Sequence, residues 1–129
     1  MARQTYFPDR GHFVHLNFSP SAPHEMADRH YGLVLSTSSF AKKTGFALIC
    51  PVTSNVKSWP FDVFVPRGIL PPKRGRDVDS VVLTDQFKSV DFRDRECEFV
   101  VEAPDAILDE ALAKVRAIID SDDVVEELS

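Results

Sequence analysis

Apolar and polar residues follow two different periods along this chain, and the change from one to the other falls near residue 104. Before that point, apolar residues alternate with polar ones or form short continuous blocks, and both patterns are typical of β-strands. The continuous blocks predict strands that are covered on both faces. Six segments are predicted to be strands: 12–18, 32–36, 46–50, 61–65, 78–87 and 96–101.

One helix is predicted near the end of the chain. Apolar residues recur every three to four positions between 107 and 119, which predicts an amphipathic helix. Pro104 and Asp105 stand where the first turn of a helix favours proline and an acidic residue. Glu110 and Lys114 add a charge pair one turn apart.

These elements predict one domain over residues 1–129. Its main part, at about 8–101, is expected to be a small, strongly bent sheet or barrel. Within it, residues 88–95 are predicted to form a turn or a short helix. A C-terminal helix at about 104–119 packs on that sheet. An acidic tail at 121–129 completes the chain.

The continuous blocks 32–36 and 46–50 are predicted to be neighbouring strands joined by a polar loop. A polar segment lies at the outer end of each strand: 24–30 precedes the first and 51–54 follows the second. Two adjacent strands of one sheet would bring these polar segments together. Because 24–30 belongs to a long irregular connection, 19–31, of a kind that is often functional, we expect the site there.

The net charge of −5 is unevenly distributed. Residues 1–93 carry 12 Lys and Arg against 8 Asp and Glu, whereas 94–129 carry 3 against 12, so a mildly basic body could bind a polyanion. The sequence shows neither a membrane-spanning apolar run nor a secretory signal, and we expect a cytoplasmic protein. Cys50 and Cys97 fit no metal-binding pattern and are predicted to be small buried hydrophobic residues, so no metal is expected.

The most basic part of the chain is the connection 66–77. Three prolines and two glycines predict that it is a loop. It contains four cations: Arg67, Lys73, Arg74 and Arg76. Two interpretations remain open, because such a segment can be a solvated loop or an arm that steers phosphate groups.

The polar residues near the predicted strand ends could support the cleavage of RNA without a metal. A base must take the proton from the 2′-OH, an acid must protonate the leaving 5′-oxygen, and a cation or hydroxyls must stabilise the charged phosphorane. Imidazole and carboxyl groups suit the proton transfers, and guanidinium and hydroxyl groups suit the phosphate. The candidates are His24, Glu25, Arg29, His30, Thr53, Ser54 and Asp85.

Six motifs carry a resemblance to a known family. They are Pro8-Asp9-Arg10-Gly11, His24-Glu25, Leu33-Val34-Leu35-Ser36, Pro51-Val52-Thr53-Ser54, Pro60-Phe61-Asp62-Val63 and LTDQFKSVDFRDR at 83–95. In order and spacing they resemble the MazF/PemK (Kid) family of toxin endoribonucleases, the mRNA interferases. The resemblance extends from about residue 8 to residue 119, and the last motif is the most specific.

This resemblance implies both a fold and an activity. The expected fold is an SH3-like β-barrel with a C-terminal α-helix, assembled as a homodimer. The expected activity is the cleavage of single-stranded RNA at short sequences, through a 2′,3′-cyclic phosphate and without a metal or other cofactor. The resemblance also implies an antitoxin whose disordered, acidic tail lies over the RNA groove.

Individual residues match functional positions of the family. Thr53 and Ser54 match its phosphate-binding Thr-Ser pair. His24 and Asp85 match a His and an Asp with catalytic roles in the Kid branch, and Glu25 matches an acidic residue that many MazF members use. These matches imply catalytic roles for His24, Glu25, Thr53 and Asp85, and an RNA-binding role for Ser54.

The chain also departs from the family pattern. Where the family usually has Arg-Pro before the second strand, this chain has His30-Tyr31, with Arg29 one place earlier. Met26 replaces a usual Gln, and Leu83 replaces a catalytic Arg of the Kid branch. We therefore expect His30 to transfer protons, which imidazole does near neutral pH, and Arg29 to contact the phosphate.

Further candidates for RNA contact are Asn17, Lys57 and Gln86. Two other functions are compatible with the same fold. One is a non-catalytic binder, because the fold includes a CcdB-like gyrase poison that acts by gripping a protein. The other is a degenerate toxin that only binds its antitoxin or RNA. The altered Arg-Pro pair and the acidic total charge favour these alternatives, whereas His24, Thr53, Ser54 and Asp85 favour the enzyme.

Overall fold

The computed structural model of the protein describes residues 5–18 and 29–120. The candidates His24 and Glu25, together with Met26, lie outside the described residues, and so does the predicted tail at 121–129. No helix in the described ranges is long and apolar enough to cross a membrane.

The described residues form a mainly antiparallel sheet of seven strands with two helices. In chain order the elements are β1 (His12–Asn17), β2 (Arg29–Val34), α1 (Ser38–Thr44), β3 (Ala47–Thr53), β4 (Asp62–Val65), β5 (Ser80–Leu83), β6 (Lys88–Val90), β7 (Glu98–Glu102) and α2 (Asp105–Asp120). This architecture confirms the predicted mainly β fold with a C-terminal helix.

The order of the strands across the sheet is β4-β5-β3-β2-β1-β7. One edge of β3 carries two partners in succession, because β6 pairs with its first half and β5 with its end. Among the described residues no pairing joins β4 to β7, so hydrogen bonds do not close the sheet into a complete barrel. "Barrel" therefore describes the fold only loosely.

Helix α2 and the central strands build the core on one face of the sheet. Buried side chains of β1, β2 and β3, such as Phe13 and Leu33, pack against Ile107, Ala111 and Val115 of the helix. The helix itself confirms the predicted apolar stripe. Its predicted charge pair also forms, with Lys114 Nζ 2.9 Å from Glu110 Oε2.

A second core lies on the opposite face of the same strands. Val14, Val34 and Ile49 pack there with Phe92 and with Ala41 of α1. Strands β2 and β3 are therefore buried on both faces, as their continuous apolar blocks predict.

Helix α1 corrects the prediction of a polar loop between β2 and β3. Two hydrogen bonds cap the first turn of this seven-residue helix, and a glycine ends it. Thr37 Oγ1 accepts from the Phe40 N–H (3.3 Å), Asp9 Oδ1 accepts from the Ser38 N–H (2.8 Å), and Gly45 ends the helix in the left-handed conformation. The contribution of Asp9 comes from a distant part of the chain, so local sequence could not reveal it.

The segment 78–95 also differs from its prediction. The predicted strand 78–87 is limited to β5, and a short 3₁₀ turn at Thr84–Gln86 follows it. The buried Thr84 hydroxyl donates to Phe61 O (2.5 Å) and so ties this turn to the chain entering β4. The chain can then return to pair with β3 as β6, in a segment predicted to be a turn or a short helix.

The Pro8-Asp9-Arg10-Gly11 motif has a structural role in this fold. Besides the Asp9 contact with α1, Arg10 Nε donates to Leu35 O (2.7 Å) and the Gly11 N–H donates to Val34 O (2.9 Å). The Ala103 N–H donates to Gly11 O (2.7 Å), just before α2. The motif thus connects β2 and both helices, and none of its residues lines either cleft described below.

Candidate active site

The start of β2 and the end of β3 meet at one end of the sheet. Tyr31 pairs with Val52 in the antiparallel ladder, so the residues just before Tyr31 and just after Val52 are neighbours. For His30 and residues 51–54 this pairing confirms the expected meeting of the two polar strand ends, whereas 24–28 lie outside the described residues. It places the candidates His30, Thr53 and Ser54 in one region of the surface.

A cleft of about 410 Å³ opens at this meeting point. We call it the first cleft. Its polar lining residues are His15, His30, Tyr31, Thr53, Ser54, Lys73, Arg74 and Ser80. No carboxylate of the described residues lines it, so its permanent charges are the cations of Lys73 and Arg74.

A second cleft, of about 390 Å³, lies on the other side of Thr53. It is lined by Thr53, Asn55, Lys57, Trp59, Asp62, Leu83, Asp85 and Gln86. Thr53, the last residue of β3, lines both clefts. The two clefts therefore adjoin at Thr53.

Two histidines line the first cleft from neighbouring strands. His15 of β1 pairs with Tyr31 of β2, and their rings lie 5.0 Å apart between centroids. His30 is exposed and pairs with Leu16, and its ring lies 6.4 Å from that of Phe18. His30 is therefore accessible to a ligand in the cleft.

The second cleft contains two carboxyl groups with different surroundings. Asp85 is exposed in the 3₁₀ turn, whereas Asp62 is partly buried at the start of β4. Burial raises the pKa of Asp62 above its usual range, and the negative charge of Asp85 raises it further. Oδ1 of Asp62 is buried without a hydrogen-bond partner among the described residues, so no hydrogen bond from them offsets the cost of burying charge on that oxygen.

The remaining candidates are distributed unequally. Lys57 and Gln86 line the second cleft. Asn17 is only 1% exposed and pairs with Arg29 at the start of β2, so this predicted RNA contact is covered by the fold. Arg29 begins β2 beside His30.

The cysteines behave as core residues to different extents. Cys50 is buried as predicted, and burial together with the charge of Asp85 raises the pKa of its thiol to about 12. It is therefore a poor nucleophile at neutral pH. Cys97 is only half-buried, and it packs beside the core under α1.

His15, Tyr31 and Asp62 line the clefts although the sequence did not single them out as site residues. His15 has a local signal, because it stands on the polar side of an alternating strand. Lys73 was noted as a cation of the basic connection, but its contact with Ser54 joins positions 19 residues apart and has no local signal. Asp62 belongs to a motif quoted above, but only the fold places it beside Asp85.

The fold and the clefts define a class of protein: a small antiparallel sheet with a C-terminal helix, and with hydroxyl, imidazole and carboxyl groups gathered at one end of the sheet. Residues 9–119 of this chain match the model of one protein family. That family is described as PemK-like, MazF-like toxin of type II toxin–antitoxin system. The chain belongs to this family.

Individual relatives agree with the family match. The chain is 34% identical to the endoribonuclease toxin MazF of Escherichia coli K12 over 90 residues, which cover 70% of this chain and 74% of the relative. A crystal structure of MazF from Deinococcus radiodurans is 39% identical, with a TM-score of 0.75, over 91% of this chain and 100% of the other. A MazE–MazF structure from the same organism is 36% identical, with a TM-score of 0.73, over 90% and 98%.

Proposed function

We propose that this protein is the toxin of a type II toxin–antitoxin system and that it is an endoribonuclease that cleaves single-stranded RNA. The observation that carries the proposal is the position of Thr53 between two clefts, one with His30 and Ser54 and the other with Asp85. The family membership and a relative named as an endoribonuclease toxin support it.

The scissile phosphate binds at the junction of the clefts. The hydroxyl of Thr53 donates to one of its non-bridging oxygens, and this hydrogen bond strengthens as negative charge develops on the phosphorane. The cations of the first cleft add to this stabilisation. Arg29, which begins β2 next to His30, contributes a further phosphate contact.

The reaction is an internal displacement on phosphorus. The 2′-oxygen attacks and loses its proton to a base, the bond from phosphorus to the 5′-oxygen breaks, and an acid protonates that oxygen. His30 and Asp85 transfer these protons from the two sides of Thr53, with His24 and Glu25 as further catalytic groups. The products are a 2′,3′-cyclic phosphate and a 5′-hydroxyl, and no metal is required because the nucleophile belongs to the substrate.

The bases beside the scissile bond extend into the second cleft. Lys57 and Gln86 line it and can contact phosphate and base edges, and Trp59 offers a ring for stacking, with 57% of its surface exposed. Because Asn17 is buried, it contacts RNA only if a local rearrangement exposes its side chain.

The partners follow from the same proposal. The antitoxin is a MazE-like protein with an acidic, disordered tail that lies over the clefts, supported by the related MazE–MazF structure. The toxin is a homodimer, supported by large apolar side chains that the single chain leaves exposed, among them Phe40, Phe46 and Phe64. It acts in the cytoplasm, where mRNA is translated.

Cleavage of a long single-stranded RNA by the purified protein in EDTA tests the proposal. We expect cuts at a restricted set of sequences, each leaving a 2′,3′-cyclic phosphate that blocks ligation of the 3′ end until the ring is opened and the phosphate is removed. Light scattering at micromolar concentration should report a dimer. If no long RNA is cut after removal of the antitoxin, the protein is a non-catalytic binder or a degenerate toxin instead.

A further inference from the structure

The connection between β4 and β5 ends in a tight basic turn. The Lys73 N–H donates to Arg76 O (2.7 Å), and the Arg76 N–H donates to Lys73 O (3.1 Å). Arg74 has a φ of 53° and Gly75 a φ of 77°. Two successive positive φ values between such a bonded pair define a type I′ turn, so the chain direction at Lys73 and Arg76 is fixed. We call Lys73–Arg76 the basic turn.

Two contacts hold the connection against the body of the protein. Leu70 is only 8% exposed and packs in the core under α2. Asp79 accepts from the Arg67 backbone N–H (3.0 Å) and from its guanidinium (Nε 3.3 Å, Nη2 3.4 Å). These hydrogen bonds hold the pKa of Asp79 below its usual range and close the base of the connection. The basic turn is thus presented by an anchored segment.

The basic turn carries three positive charges, and no carboxylate among the described residues forms an ion pair with them. Within residues 5–18 and 29–120, ion pairs engage Arg67 with Asp79 and Lys114 with Glu110, but none engages the cations of the basic turn. Lys73 instead donates to Ser54 Oγ, with Nζ 3.4 Å away. Lys73 and Arg74 both line the first cleft beside Thr53 and His30.

We infer that the basic turn is a binding site for the RNA backbone, with Lys73 and Ser54 holding the phosphate next to the scissile one; this inference rests on the proposed function. The ammonium and the hydroxyl are close enough to share one phosphate group. A phosphate group offers several acceptor oxygens to these converging donors, which favours it over a carboxylate. The cations at the tip, Arg74 and Arg76, then meet the phosphates that follow along the strand.

Substitutions that each remove one positive charge test this site. The variants are Lys73→Gln, Arg74→Gln and Arg76→Gln, and the control is Lys43→Gln, which removes an exposed lysine of α1 that lines neither cleft. The probe is a fully 2′-O-methylated, mixed-sequence RNA of about 20 nucleotides, which lacks the attacking hydroxyl. Each lost phosphate contact should reduce the slope of log Kd against log salt by about 0.7, and Lys73→Gln should raise Kd about tenfold near physiological salt.

A second variant separates the shape of the turn from its charge. Gly75→Val keeps every cation but strains the positive φ, and no heavy atom lies within 4 Å of the added Cβ. We expect weaker binding of the same probe, with little change in melting temperature because the turn is exposed.

The outcomes separate this inference from the proposed function. If the wild-type protein neither binds the probe nor cuts unmodified RNA, both fail. If the wild type cuts RNA and Lys73→Gln binds the probe as the control does, the basic turn is a solvated loop and only the inference is wrong. Unchanged RNA binding with weakened binding of a polyglutamate peptide would assign the turn to an acidic protein partner, and it would also overturn the inference.

Discussion

The two clefts that meet at Thr53 differ most in charge. The first cleft presents two histidines, two permanent cations and no carboxylate among its described lining residues. The second presents two carboxyl groups, one lysine and an exposed tryptophan. The cations of the first cleft attract a phosphate group, whereas the carboxylates of the second cleft repel it.

This difference suggests a division of roles on either side of one hydroxyl. Under the proposed function we expect the scissile phosphate at Thr53 in the first cleft, where a hydroxyl and nearby cations are available to stabilise the phosphorane. The carboxyl groups of the second cleft are suited to move a proton rather than to bind the phosphate. Substitutions in the two clefts should therefore impair RNA cleavage in different ways.

The largest expected effect comes from His30. His30→Ala should lower the rate of RNA cleavage roughly 10²–10⁴-fold, because it removes one general acid or base. His30→Arg restores the residue usual in the family and should keep or raise activity. A rate for His30→Ala equal to wild type at every pH would make His30 a surface residue and leave the chemistry to His24 and Asp85.

Thr53→Val should follow, with a loss of about 10²–10³-fold in cleavage rate. The substitution keeps the shape of the side chain but removes the hydroxyl of the residue that lines both clefts. Thr53→Ser, which keeps the hydroxyl, is the matched control and should retain most of the activity. Single-turnover kinetics separate the two, and equal losses for Val and Ser would show that packing, rather than the hydroxyl, matters at this position.

The sequence predicts the parts of this site that local pattern controls. The continuous apolar blocks predicted β2 and β3 as neighbours, and their pairing brings His30 close to Thr53. The apolar period and Pro104 predicted α2. By contrast, three features depend on the tertiary fold. They are the hydrogen bond of Asp9 to the first turn of α1, the contact of Lys73 with Ser54, and the burial of Asn17. Interactions between residues far apart in sequence leave no periodic signal.

Asp62 allows a stability test of the second cleft. Its pKa is raised in the folded protein, so the folded state loses stability as pH rises from the ordinary aspartate value through the raised one. Asp62→Asn removes this penalty and should raise Tm at pH 7 by a few degrees, with a smaller gain below about pH 4. Thermal melts of Asp62→Asn and of the exposed control Asp94→Asn, taken across pH, measure it. An equal gain at both pH values would rule out an ionisation effect.

The smallest expected effect is that of Lys57, an exposed cation in the second cleft. Lys57→Gln should weaken RNA binding severalfold and reduce the salt slope by about 0.7, as the loss of one contact with a single strand does. The turnover rate at saturating RNA should remain near that of wild type, because Lys57 is placed to bind the strand rather than to move a proton. A large fall in that rate would assign Lys57 to the reaction itself.

The central claim is that both clefts form one active site around Thr53, and a double-mutant cycle tests it most directly. Single-turnover cleavage rates are measured for wild type, His30→Ala, Asp85→Asn and the double variant, since groups that act in one transition state are strongly non-additive. We predict that the double variant is hardly slower than the slower single variant. Fully additive losses, with the two free-energy changes summing in the double variant, would show that the clefts act independently and would contradict the claim.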